Sequence, residues 1–93
     1  MKGLYWRITW FINGSPAKTD IFGVGRECHE KVLWADSGYS YSDAETYAMA
    51  IVENKASLTG ELTDVEIVAM MDGVVICRNQ YYCKETVMLD SAD

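Results

Sequence analysis

Few residues in this chain have the types and spacing to do chemistry. Cys28 and His29 are adjacent, His29 is the sole histidine, and Cys77 and Cys83 complete the thiols. A metal site drawing on Cys28, His29 and Cys83 would need neighbouring side chains to reach one ion. Cys77 and Cys83 lie too far apart in sequence for the short C-x2-C spacing of structural zinc. A nucleophile–base pair from Cys28 and His29 meets the same obstacle, because successive side chains on a strand point to opposite faces. The expectation is therefore three free thiols packed in the interior, and their odd number fits a reducing compartment, the cytoplasm. Gly23-x-Gly25 lacks the third glycine of a dinucleotide loop, since position 28 is cysteine. Asp72 precedes Gly73, a pair whose tolerance of left-handed backbone predicts a tight hairpin turn. These residues predict no catalytic group, no metal and no cofactor, and so a protein that is not an enzyme.

The residues suited to binding are of another kind. Gly38-Tyr39-Ser40-Tyr41 combines tyrosine, which offers contact area at low entropic cost, with adaptable serine and glycine. With the acidic residues around it this predicts a partner-binding surface of Asp36, Tyr39, Tyr41, Asp43 and Asp72. Tyr81-Tyr82 forms a second aromatic cluster, expected at the opposite end of the molecule. The net charge of −6 argues against direct contact with nucleic acid, which requires a basic face. It suits a protein partner with a basic surface, such as a nucleic-acid-handling complex.

These residues must be positioned by a small scaffold. Ninety-three residues make one domain, with an acidic end over 90–93 expected to fray, and 49% hydrophobic residues supply a small core. Such a core gains from dimerisation or partner binding, so a homodimer stays open. The basic, apolar N-terminus is interrupted by Arg7 and predicts neither a signal peptide nor a membrane span. Leu4, Trp6, Ile8, Trp10 and Ile12 alternate with Tyr5, Arg7, Thr9 and Phe11, the pattern of a half-buried strand. Asn13 to Pro16 predicts a turn, and Ala17 to Val24 a second strand weakened by Gly23. Residues 26–36 fit a helix or a strand, and the β-branched and aromatic content favours a strand over 31–36.

Ser42 followed by Glu45 predicts the capping box of a helix, with Ala44, Tyr47, Ala48, Ile51 and Leu58 on its buried stripe and Gly60 as its stop. Lys55 falls in the same stripe, its stem able to lie on the core. Val65–Met71 and Val74–Arg78 flank the Asp72-Gly73 turn, which would pair Met71 with Val74, Ala69 with Ile76 and Val68 with Cys77. Both faces of this hairpin are apolar near the turn, so one takes the helix and the other asks for a second cover. Asn79–Tyr82 reads as a break, and Cys83–Leu89 as an additional edge strand. The fold class is α+β: an antiparallel sheet of about five strands in the order β-β-β-α-β-β, with one main helix on one face. With each strand antiparallel to the last, 13–16, 37–42 and 72–73 gather at one end, and 25–30, 59–63 and 79–82 at the other.

Two resemblances follow. Strand, strand, strand, helix, strand resembles the first half of the ribonuclease H fold. Phe11-Ile12-Asn13-Gly14-Ser15, Ala44-Glu45 and Met71-Asp72 stand where that family carries metal-binding carboxylates, with Asn13 in place of the first. The resemblance implies, as an alternative function, a degenerate metal-dependent nuclease fragment with Asn13, Glu45 and Asp72 together. The helix opening SDAETYA followed by TDVEIVAMMDGVVICR is similar, in architecture, to small phage-encoded host-takeover proteins, of which anti-CRISPR proteins are the best known. That resemblance implies a phage or mobile-element inhibitor that occupies a surface of a host defence complex in the host cytoplasm. A small homodimeric, antitoxin-like regulator is a further alternative.

Overall fold

A computed structural model describes residues 3–13, 26–58 and 60–84. Four strands form one antiparallel sheet: β1 (Leu4–Asn13), β2 (Arg26–Trp34), β3 (Glu61–Met71) and β4 (Val74–Cys83), in the spatial order β2-β1-β3-β4. One helix, α1 (Tyr41–Glu53), connects β2 to β3 and lies across one face of the sheet. The class is the α+β one expected, but the described residues give four strands where about five were predicted. The predicted strand 17–24 and most of 83–89 fall outside the described residues, as do Gly23, Gly25 and the terminal residues 90–93.

The alternation in β1 does what its pattern requires. Trp6, Ile8 and Ile12 are buried under α1 with Leu33, Ala44, Ala48, Leu62, Val65 and Ile67, and Leu4 and Trp10 pack at the margin. Helix and sheet meet closely because the helix presents alanines. Ala44 and Ala48 have no exposed surface and sit one turn apart, with Tyr47, Ile51 and Val52 closing the flanks. Fully burying a branched aliphatic side chain such as Ile8 or Ile67 contributes roughly 1.5–3 kcal/mol, so a handful of these residues sets the scale of the whole stability.

Three local departures from the expected elements have physical causes. The ambiguous segment 26–36 forms a strand over Arg26–Trp34 and then a single 3-10 turn, Ala35–Ser37. Pairing along all of β1, from Tyr5 with Trp34 to Asn13 with Arg26, outweighs the charged composition of its first half. The helix begins two residues earlier than a Ser42 cap allows: Ser40 is the N-cap, and Asp43 completes the box. Asp43 Oδ2 accepts from the Ser40 backbone N–H at 2.8 Å and from its hydroxyl at 3.1 Å. The helix ends at Glu53, where Asn54 donates to the Ala50 carbonyl through its backbone and its side chain, so Gly60 is not the stop. Gly60 instead lies against β1, so close that a Cβ there would stand 2.2 Å from the Asn13 carbonyl oxygen.

The hairpin differs by one residue. Asp72 and Gly73 both have positive φ and form the predicted turn, and Met71 pairs with Val74. Beyond Met70–Val75 a β-bulge intervenes, so Ala69 pairs with Cys77 rather than Ile76, and Val68 with Arg78 rather than Cys77. Ile76 is the extra residue. A second bulge lies near Tyr81, and the strand runs unbroken to Cys83 where a break at 79–82 was expected. A one-residue shift exchanges the faces of everything after it. Cys77, Asn79 and Tyr82 therefore share the helix side with Ala69, Ile67 and Val65, while Val75 and Arg78 lie opposite with Met70 and Val68.

Candidate functional site

The strand register sorts the ends of the molecule. β1 runs from Gly3, beside the Asp72 turn, to Asn13, which pairs with Arg26 and Glu61. Its ten residues, at about 3.3 Å each, separate those ends by about 30 Å. The turn at 72–73 is thus at the Leu4 end, and Asn13 at the other. Asn13 and Asp72 do not meet, so the constellation of Asn13, Glu45 and Asp72 does not assemble. The expected gathering of 13–16 with 72–73 assumed a strand between β1 and β2 that would place those two in parallel; they pair antiparallel. Among the described residues no group of three His, Cys, Asp or Glu side chains could hold a metal ion.

Each predicted binding residue can be placed. Asp36 is exposed in the 3-10 turn, and Tyr39, at 45% exposure, stands in the link to the helix, its backbone N–H donating to the Trp34 carbonyl. Asp43 is exposed while holding the helix N-terminus. Tyr41 is half-buried: its ring packs against the core, and its hydroxyl accepts from Asn79 Nδ2 on β4. That bond places the helix start over the middle of β4, because Asn79 pairs with Ile67 in mid-sheet. Asp72 is occupied by the fold. Its Oδ1 accepts from the Gly3 N–H at 2.7 Å, and its own N–H donates to the Gly3 carbonyl at 3.1 Å. The structure therefore separates the predicted set. Asp36, Tyr39 and Asp43 share one exposed segment, Tyr41 belongs to the packing, and Asp72 ties down the start of β1.

The rest of the helix extends the exposed segment. Glu45 and Glu53 are exposed with Asp43, and α1 contains no lysine or arginine. Met49, also exposed, lies among them. This outer face is acidic with one apolar side chain on it. Glu45, assigned by sequence to the cap, is free of that duty because Asp43 performs it.

The cysteines are a correction. Cys28, Cys77 and Cys83 are all free and all exposed, not buried. Each lies on an edge strand, where even a position on the helix side is reached by water. His29 stacks on Trp10 with ring centroids 5.6 Å apart and meets Glu27 Oε1 at 3.2 Å. It turns to the helix side with Trp10, while Cys28 pairs with Phe11 and turns away, as strand geometry dictates.

The hairpin faces expected to take the helix or a second cover are open near the turn. Met71, Val74, Val75 and Ile76 form an exposed apolar hairpin tip, with Val74 61% and Ile76 56% exposed. The signal was present in a run of apolar residues on both faces, which a buried central strand or an exposed edge would satisfy equally. On the side away from the helix the same hairpin buries Met70. Further along the same away side Val68 has no exposed surface, flanked in register by Arg7 and Arg78, side chains long enough to lie over it. At the opposite end, Tyr82 lines a shallow cavity of about 410 Å³ with Lys55, Leu58, Gly60, Leu62 and Lys84. The ammonium of Lys55 stands 5.9 Å from the Tyr82 ring centre and Lys84 pairs with Glu61 at 3.0 Å, so both cations are already engaged.

No helix among the described residues is long and apolar enough to cross a membrane. Comparison of the chain with protein-family models, with curated proteins and with solved structures finds no match.

Proposed function

We propose that this chain is a non-enzymatic protein-binding module, a small inhibitor of the phage or mobile-element kind, which acts by occupying a basic surface of a host complex. The observation that carries this reading is the outer surface from Asp36 to Glu53. It presents Asp36, Tyr39, Asp43, Glu45 and Glu53 with no basic residue in the helix, and Tyr39 and Met49 stand among the charges. Acidic side chains around a few exposed apolar anchors suit a basic protein surface, where the charges steer encounter and the anchors supply contact. Tyr41 holds the start of the helix to β4 and Asp72 holds the turn to Gly3, so the reading does not rest on these two.

The test is capture from host lysate with tagged protein, run beside a Tyr39→Ala/Asp36→Lys variant. Neither side chain is buried, so the variant folds as the parent does. A protein enriched by the parent and lost from the variant supports the reading. Equal enrichment by both would move the binding surface elsewhere.

A further inference from the structure

We infer that the outer edge of β4 pairs antiparallel with β4 of a second copy of this chain, joining the two sheets into one. Three observations lead there. Among the described residues β4 has a neighbour on one side only, β3, so its outer backbone groups present a row of hydrogen-bonding positions. The tip of that edge is apolar and open, with Val75 40% exposed between the more exposed Val74 and Ile76. Two of the devices that protect an edge, free charge and proline, are missing here, and only the bulges at Ile76 and near Tyr81 interrupt it. The ten residues Val74–Cys83 include no acid and no proline, and their one charge, Arg78, is bound to both oxygens of Glu66 at 3.1 Å. The opposite edge, β2, carries Arg26, Glu27, Glu30 and Lys31 within its first six residues and is guarded in the ordinary way.

Charge also selects the occupant. A basic partner strand would find no carboxylate along β4, and an acidic one only an arginine already neutralised. An identical strand brings no uncompensated charge. The side-chain arrangement is self-complementary as well. Because Ile76 is the bulged residue, Val74 and Asn79 lie on the helix side and Val75 and Arg78 on the other. Antiparallel pairing centred between Ile76 and Cys77 then sets Val74 opposite Asn79 of the second copy, Val75 opposite Arg78, and Ile76-Cys77 opposite the same pair. Like faces stay together only if the two-fold axis is perpendicular to the sheet, which puts both helices, and both acidic outer faces, on the same side. The overlap from Val74 to Asn79 is short, so the dimer belongs to the small, weak class, with a Kd on the order of 10–100 µM.

Sedimentation velocity from about 5 µM to about 500 µM tests this, spanning that Kd. The mass should rise towards twice the chain mass, and Ile76→Lys or Val75→Lys should hold it at one chain with an unchanged circular dichroism spectrum. In the parent, amide exchange along 74–79 should slow as concentration rises while that of 26–34 does not. This last measurement needs no variant and decides the matter even if the substitutions fail to fold. A monomer throughout the range, a dimer that survives Ile76→Lys, or concentration-dependent protection on β2 alone would each overturn the inference. The partner surface contains none of residues 74–79, so either result here leaves the lysate capture to be judged separately.

Discussion

Replacing Gly60 with alanine should destabilise the fold. A Cβ built on Gly60 would lie 2.2 Å from the Asn13 carbonyl oxygen, 2.7 Å from Ile12 Cγ2 and 3.2 Å from the Asn13 carbonyl carbon. An uncharged carbon and a carbonyl oxygen rest near 3.3 Å, so roughly 1 Å must be recovered by moving backbone. The obstacle is main chain at the end of β1, where Ile12 pairs with Leu62 and Asn13 with Glu61 just past a bulge, so yielding means opening those pairs. Overpacking of this kind costs about 1–3 kcal/mol, and the gain from a stiffer unfolded chain returns only about 0.4–1 kcal/mol. The net loss expected is about 1–2 kcal/mol. Urea unfolding followed by tryptophan fluorescence reads it, since Trp6 lies in the core cluster and Trp10 at its margin. With an m value of about 1–1.5 kcal/mol/M the midpoint should fall by about 1 M. An alanine variant unfolding within about 0.3 M of the parent would refute the reasoning, because it would mean the β1 end yields without cost.

Other substitutions test the remaining assignments. Asp43→Ala should cost about 1 kcal/mol in the same assay and Glu45→Ala less than about 0.5 kcal/mol, because Asp43 and not Glu45 caps the helix; equal effects would return the cap to Ser42. Asp72→Ala should lose about 1–2 kcal/mol through the missing bond to Gly3 and the positive φ of 52°, while Asp72→Asn stays within about 0.5 kcal/mol since asparagine keeps the acceptor and tolerates that backbone. Ile8→Ala, at a position with no exposed surface, should cost about 2–5 kcal/mol and leave the chain close to unfolded at room temperature, visible as a lost thermal transition. A thiol reagent should titrate all three cysteines without denaturant, since each is exposed; fewer than three equivalents would place a thiol back inside.

What was legible in the sequence was whatever depended on periodicity over many residues. The inward face of β1, the stripe Ala44, Tyr47, Ala48, Ile51 and the Asp72-Gly73 turn stand, because each repeats one signal several times or uses a dipeptide with few alternatives, whereas Leu58 and Lys55, read into the same stripe, lie beyond the end of the helix at Glu53. What failed depended on a single residue. The cap moved by two positions because Ser40–Asp43 and Ser42–Glu45 offer nearly the same chemistry, and only the path from the 3-10 turn decides between them. Gly60 carried a correct expectation of importance for the wrong reason: its closeness to Asn13 is a tertiary contact with no local signature. The end-sorting failed at Asn13: β1 and β2 pair antiparallel, so Asn13 joins Arg26 and Glu61 at one end, while Trp34 and the Asp72 turn keep their expected company at the other.

The candidate surface was legible in part for the same reason. Tyrosine and aspartate identities name residues that could bind, but the sequence does not say which of them the fold has already used. Tyr41 shares its hydroxyl with Asn79, thirty-eight residues away, and Asp72 shares its carboxylate with Gly3, sixty-nine residues away. Neither partner is guessable from local pattern. Removing these two from the partner surface leaves Tyr39 and the acidic outer face of α1, and it sharpens what the hairpin is for. The apolar tip Met71, Val74, Val75 and Ile76 is uncharged apart from the bound Asp72, whereas the helix face is charged and nearly free of apolar groups. Surfaces of such different character suit different occupants: the helix face a basic foreign protein, the β4 edge a copy of itself. A dimer built on the edge would present two acidic helices on one side, so a partner with two basic patches would bind the pair more tightly than one copy alone, and that gain would vanish with Ile76→Lys while single-site binding remained.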